Sequence, residues 1–282
     1  MYNVTMFGKS IKILFLAVFG VFAIQSAFSQ AESQKIENSM IEVKGGSFIM
    51  GSPENEPGRH MTDEEPQHKV TLKSFLIAKY PVTQEEYLAV MGVNPSKNTG
   101  ENHPVDQVSW NNAVDYCNRR SAAEGLTPVY TINGNNVTWN REANGYRLLT
   151  ESEWEYACRA GTTTPYYSGA SMNDAGWHRD NSAVIINGYN SRSSYPVGQK
   201  KPNDWGIYDM HGNVLEWCWD WMAPYTAEAR VDPIGPATGS RRIYRGGCFD
   251  LPAAQCRSAY RFGQHQNLRM FYIGFRVARN AQ

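Results

Sequence analysis

Apolar and polar residues alternate along this chain in short runs broken by turn residues, a rhythm of brief strands and loops rather than of long helices. Ile41–Val43 and Ser47–Met50 flank Gly45-Gly46 and predict a hairpin. Residues 52–67, broken by Pro53, Pro57 and Pro66, predict a long loop, after which His68–Leu72 and Phe75–Ala78 regain strand character. Thr83 followed three residues later by Glu86 is a capping box and predicts a helix; Ser109 predicts a second, with Trp110, Val114 and Cys117 on one face. Val129–Ile132 and Val137–Trp139 around Asn133-Gly134 predict a hairpin, and Thr150 with Glu153 opens a third helix. Gly, Ser, Asn and Pro dominate residues 161–206, a stretch long enough to need pinning by a cation or a disulfide. Trp217, Trp219 and Trp221 recur at period two, a strand with one aromatic face in the core.

The first residues follow a different logic. Lys9 and Lys12 precede an apolar run from Ile13 to Ile24, and Ala27 and Ser29 stand at −3 and −1 of a cleavage point. Residues 1–29 therefore predict a secretory signal, 30–39 a loose tail and 40–282 a single extracytoplasmic domain with no further membrane span, periplasmic, cell-surface or secreted; an uncleaved anchor is the alternative. With 27 Lys plus Arg against 27 Asp plus Glu, charge points to neither nucleic acid nor an anionic membrane. In an exported domain five cysteines predict pairing with at least one thiol left over, and the absence of any CxxC pair disfavours zinc.

Two stretches carry candidate chemistry. Asp209 and Glu216 flank a glycine-containing turn where the carbonyls of Gly212 and Val214 can converge, a hard-oxygen set that suits calcium; the competing reading pairs Glu216 and Asp220 with arginines. From Arg245 to Val277 the chain mixes aromatic and long polar residues without strand alternation, as a contact surface does. His60, His68 and His103 are scattered and read as solvated or locally bonded.

Six ordered motifs carry a family resemblance: Gly46–Gly51, Pro104–Trp110, Arg147–Ala157, Gly206–Trp217, Arg245-Gly246-Gly247 and Gly274-Phe275-Arg276. Over residues 40–279 the chain resembles the sulfatase-modifying factor, or formylglycine-generating enzyme, family. The resemblance implies a single mixed α+β, loop-rich domain of C-type-lectin-like fold and calcium at Asp209, Gly212, Val214 and Glu216. The family's enzymes oxidise a substrate cysteine with copper and oxygen through a cysteine pair, two low-pKa thiols that hold soft Cu(I). This chain departs there: Cys248 stands at the motif serine, Leu251 at the first catalytic cysteine, and Cys256 better fits the structural cysteine that bonds Cys158. Cys248 and Cys256 are the weak catalytic candidates that remain. The C-terminus also resembles retroelement-diversified variable proteins, which bind ligands through a lectin-like face. That likeness implies a ligand-binding segment 245–277 for a protein or carbohydrate, with Phe249, Asp250, Leu251, Gln255, Tyr260, Phe262, Gln264, His265, Asn267, Leu268, Met270, Phe271 and Tyr272 as contact residues. The expectation is an exported binding protein; a formylglycine-generating oxidase and a secretion or gliding component are the alternatives.

Overall fold

In a computed structural model, residues 40–59, 63–100, 102–169, 171–186 and 188–281 are described; the predicted signal and tail lie outside them. In chain order the elements are β1 (Met40–Val43), β2 (Gly46–Met50), β3 (His68–Leu72), β4 (Phe75–Ala78), α1 (Gln84–Met91), α2 (Trp110–Ala123), β5 (Tyr130–Asn133), β6 (Asn136–Trp139), β7 (Arg147–Leu148) and α3 (Glu151–Arg159). They continue with β8 (Gly176–Trp177), β9 (Ala183–Ile186), β10 (Tyr189–Arg192), β11 (His211–Gly212), β12 (Leu215–Trp221), β13 (Arg230–Val231), β14 (Arg242–Arg245), a 3₁₀ turn (Ala253–Cys256), β15 (Arg261–Gln264), β16 (Ile273–Phe275) and β17 (Val277–Asn280). Residues Ile41–Gln282 form one compact unit. No helix among the described residues is long and apolar enough to cross a membrane.

The three helices among the described residues begin where their caps predict. Thr83, Ser109 and Thr150 each accept the N3 backbone N–H, and Glu86, Asn112 and Glu153 reach back to close the box. Two strand pairings differ from expectation. β1 and β2 do not form a hairpin; β2 pairs with β3, while β1 lies beside β4 in the order β1-β4-β17-β7. The chain between them passes so close to the β3–β4 connection that a Cβ on Gly45 would sit 2.7 Å from the Leu72 carbonyl oxygen, so the glycines serve close packing rather than a tight turn. β5 and β6 do form the predicted hairpin, but Asn133 pairs with Asn136 and the loop residues are Gly134-Asn135, one position later.

The central sheet, in the order β15-β14-β12-β16, is covered on both sides. From α3, Trp154 Nε1 donates to Glu216 (2.9 Å), and from α2 and its cap segment, Trp110 Nε1 donates to the Cys218 carbonyl (2.8 Å) and Trp217 Nε1 to that of Val108 (2.9 Å). β12 is therefore buried on both faces from Leu215 to Asp220, not on the tryptophan face alone. The stretch 161–206 contains the β9–β10 hairpin and is pinned by hydrogen bonds, among them Asn213 to Tyr195 in both directions (3.0 and 3.1 Å) and Asn203 to the Ala157 carbonyl (2.7 Å).

Candidate functional site

Four arginines anchor the C-terminal segment, each fully or nearly buried and each bound to a carboxylate from elsewhere in the chain. Arg245 pairs with Glu155 on α3; Arg257 reaches Glu56 (2.5 Å) and both oxygens of Glu64 in the long loop; Arg261 forks onto Glu151 (2.6 and 2.7 Å); Arg276 holds Glu216 (2.9 Å). These arginines come from the Arg-Gly-Gly, Cys-Arg-Ser-Ala-Tyr-Arg and Gly-Phe-Arg motifs, so the motif residues fasten the segment. Planar guanidinium forks suit such buried pairs.

With the arginines turned inward, the residues between them form the rim and face of the central sheet. Phe262, Tyr244 and Trp217 lie in register across β15, β14 and β12, with Phe262 and Tyr244 rings 5.7 Å apart. Phe262, Gln264, Leu268, Met270, Phe271 and Tyr272 are half-buried, while His265 and Asn267 are exposed. Phe271 packs edge-on to Tyr272 (5.0 Å) and carries the Lys97 ammonium above its ring (4.3 Å). Asn111 donates to Asn135 (3.1 Å) and Asn267 (2.6 Å), tying this loop to the β5–β6 turn.

Several predicted contact residues lie elsewhere. Phe249 is 1% exposed and is core, its backbone N–H bonded to the Asn213 carbonyl (3.0 Å) and its carbonyl to Ser182 Oγ (2.6 Å). Tyr260 is buried, and Leu251 packs inward against the cluster of Tyr166, Met172 and Cys256. Asp250 meets Arg192 (3.6 Å), and Gln255 is half-buried in the 3₁₀ turn.

The β9–β10 hairpin was missed by reasoning from the sequence. It flanks Phe249–Leu251, through the Ser182 bond, Arg179 N–H to the Leu251 carbonyl (2.9 Å) and the Arg192–Asp250 pair, and exposes Ile185, Ile186 and Tyr189. Its signal was present: Ala183-Val184-Ile185-Ile186 followed by Asn187-Gly188 is a strand and hairpin turn.

The thiols contradict the predicted bridge, for all five cysteines are free and buried. The His211 ring contacts both intended partners: Cys158 Sγ lies 3.8 Å from its nitrogens, and its Nδ1–H donates to the Cys256 carbonyl (2.8 Å). Burial holds His211 neutral, with its pKa lowered to about 3. Cys256 Sγ points at the Cys248 and Pro252 carbonyls (3.9 and 3.7 Å), so Cys248 and Cys256 are neighbours. Burial pushes Cys248 and Cys158 up to about 12 and Cys256 well above its ordinary value. Closed-in thiols of this kind are poor nucleophiles and poor ligands for Cu(I).

The two carboxylates predicted to hold calcium are engaged by protein groups. Glu216 accepts from Arg276 Nε and Nη2 (3.1 and 2.9 Å) and from Trp154, so the arginine reading of this carboxylate holds. Asp209, on the left-handed backbone at φ 57°, accepts from Gly198 N–H (2.7 Å) and Asn213 Nδ2 (3.3 Å), and burial raises its pKa to about 6. Gly212 lies so close to Trp177 that a Cβ would overlap the Trp177 carbonyl, and Val214 is buried. Among the described residues no three His, Cys, Asp or Glu side chains converge as a metal site. A guanidinium already neutralising Glu216 does not fit a dication at the same carboxylate.

Comparison with known proteins agrees with this fold. Chaperone protein LppX of Paenibacillus barcinonensis is 37% identical over 246 residues, covering 77% of this chain and 83% of that protein. The formylglycine-generating enzyme of Streptomyces coelicolor is 30% identical over 280 residues, covering 86% and 89%. Among solved structures, Treponema denticola variable protein 1 superposes with a TM-score of 0.77 at 31% identity, covering 86% of this chain and 95% of that one. The sulfatase-modifying factor enzyme 1-like domain model matches residues 25–281, and with the motif arginines clamped as described, this chain belongs to that family, whose members include formylglycine-generating enzymes.

Proposed function

We propose that the protein is a binding member of the family rather than a cysteine oxidase, engaging a protein ligand through the C-terminal face. The single observation that carries this reading is the state of Cys248 and Cys256, 1% and 0% exposed with their thiols held protonated by burial. Copper chemistry on a substrate cysteine needs accessible thiolates, and these residues do not supply them. What the segment does present is Phe262, Gln264, His265, Asn267, Leu268, Met270, Phe271 and Tyr272 on a clamped scaffold, flanked by Ile185, Ile186 and Tyr189. Aromatic and long apolar groups held in place supply contact area at low entropic cost, which suits a protein surface better than a sugar. The likeness to a protein named a chaperone and to one named a variable protein supports a protein partner.

The test has two arms. Copper-loaded protein incubated aerobically with a Cys-x-Pro-x-Arg peptide is expected to leave the cysteine unchanged by mass spectrometry; conversion to formylglycine, lost in Cys248→Ser, would overturn the reading. Crosslinking in the extracytoplasmic fraction is expected to capture a partner through the face, and Phe262→Ser with Phe271→Ser to abolish capture without unfolding. Capture that survives both substitutions would move the binding surface elsewhere.

A further inference from the structure

The β5–β6 hairpin turns at Asn133-Gly134, a dipeptide with chemistry beyond its turn propensity. Asn133 ends β5 opposite Asn136, and Asn133 and Gly134 are both exposed. Gly134 takes φ 60° while Asn135 stays at negative φ, the II′ arrangement, and nothing lies within 4 Å of where a Cβ on Gly134 would sit. Among the described residues the Asn133 carboxamide makes no hydrogen bond and the Gly134 N–H has no acceptor. A backbone nitrogen one residue on, with no side chain to block its approach, is the nucleophile that closes an asparagine side chain into a five-membered imide.

Asn144-Gly145 has the same sequence in a different setting. Asn144 is half-buried, its Oδ1 accepts the Thr127 N–H (2.9 Å) and its carbonyl accepts from Arg279 Nε (3.1 Å). Gly145 is buried, and a Cβ there would overlap the Thr127 carbonyl oxygen. The Asn144 side chain therefore cannot turn onto the Gly145 nitrogen while those contacts hold. Asn187, ahead of Gly188, lies outside the described residues.

The β5–β6 turn also carries Asn135. Its carbonyl accepts from Gln266 Nε2 (2.9 Å), and its Oδ1 accepts from Asn111 Nδ2 (3.1 Å) and Asn267 Nδ2 (3.4 Å). These bonds hold the 265–267 loop of the C-terminal face against the hairpin.

We propose that Asn133 is a self-modification site, deamidating through Gly134 and thereby loosening the 265–267 loop. The Gly134 nitrogen loses its proton to hydroxide and bonds to Asn133 Cγ; the Cγ–Nδ2 bond breaks, and the leaving nitrogen takes up a proton and departs as ammonia. Water adds to either carbonyl of the resulting succinimide and opens it to aspartate or isoaspartate, with no change of oxidation state. Aspartate leaves the backbone as it was. Isoaspartate routes the backbone through the side chain with one extra methylene, which breaks the Asn133–Asn136 register and draws Asn135 from Gln266. The chemistry is set by the turn and does not depend on what the face binds.

The test incubates the folded full chain in mildly alkaline buffer and maps it by tryptic mass spectrometry, with isoaspartate read by methyl transfer from an isoaspartyl methyltransferase. Asn133 is expected to convert at least about tenfold faster than Asn144, because a held site must open before it reacts. In denaturing urea the two rates are expected to converge. Hydrogen exchange at residues 265–268 is expected to quicken in the isoaspartate-bearing fraction. After the same incubation it is expected to stay slow in Asn133→Gln, whose longer side chain closes a six-membered imide far less readily. Equal conversion at the two asparagines in the folded chain, or none at Asn133, would overturn the site; equal exchange in modified and unmodified chains would overturn its effect on the loop.

Discussion

Arg257 forks onto Glu64 across 193 residues of sequence, Nη1 to Oε2 at 2.9 Å and Nη2 to Oε1 at 2.6 Å, and the same guanidinium takes Glu56 at 2.5 Å. One side chain thereby fastens the C-terminal segment to the proline-rich loop. Arg257→Ala is expected to remove the guanidinium that the buried Glu56 carboxylate shares with Glu64 and to cost about 3–5 kcal/mol of unfolding free energy in urea titrations. Glu216→Ala strands Arg276 in the same way, and its cost is expected to be similar with calcium or with a chelator present.

The split between core and face within one segment gives a second expectation. Phe249→Ala empties a fully buried site and is expected to cost about 3–5 kcal/mol. Phe262→Ser and Phe271→Ser, both half-buried, are expected to cost less than about 1.5 kcal/mol each by the same denaturation measurement. Equal costs at all three positions would mean that the segment has no outward face.

Native protein is expected to resist alkylation at every cysteine and to yield five reactive thiols once unfolded, read by mass spectrometry after iodoacetamide treatment. A bridged fraction that withstands unfolding without reductant would restore the Cys158–Cys256 pairing.

Burial raises Asp220 to about 8 and Asp209 to about 6, so the folded chain retains protons that the unfolded chain releases near pH 4. The unfolded state then binds fewer protons, and stability falls as pH rises from about 4 through those values, by up to about 1.4 kcal/mol per pH unit for each group in its window. Urea midpoints at pH 5, 7 and 9 are expected to decline, and to decline less in Asp220→Asn, which is neutral throughout.

Short-range signals were legible in proportion to how local their physics is. A capping box closes within four residues, and Thr83, Ser109 and Thr150 each start a helix where they stand. Hairpins test register as well, and there the reading slipped: by one residue at Gly134, and entirely at Gly45, whose flanking strands take partners from the rest of the chain. The motif glycines and arginines identified the family, but no local rule tells whether Glu216 faces a metal ion or Arg276. That depends on a side chain 60 residues away.

The amino-acid sequence by itself determined the helix starts, the mixed α+β class, the family and the departure of Leu251 and Cys248 from the oxidase pattern, because these rest on neighbouring residues or on ordered motifs. Only the tertiary structure decided that Phe249 is core while Phe271 is rim, that His211 stands against both Cys158 and Cys256, and that Asp220 accepts the Glu151 N–H at the start of α3. Burial and ion pairing are made by groups distant in the chain, and the same residue types would read alike along the sequence whichever partners the fold delivered.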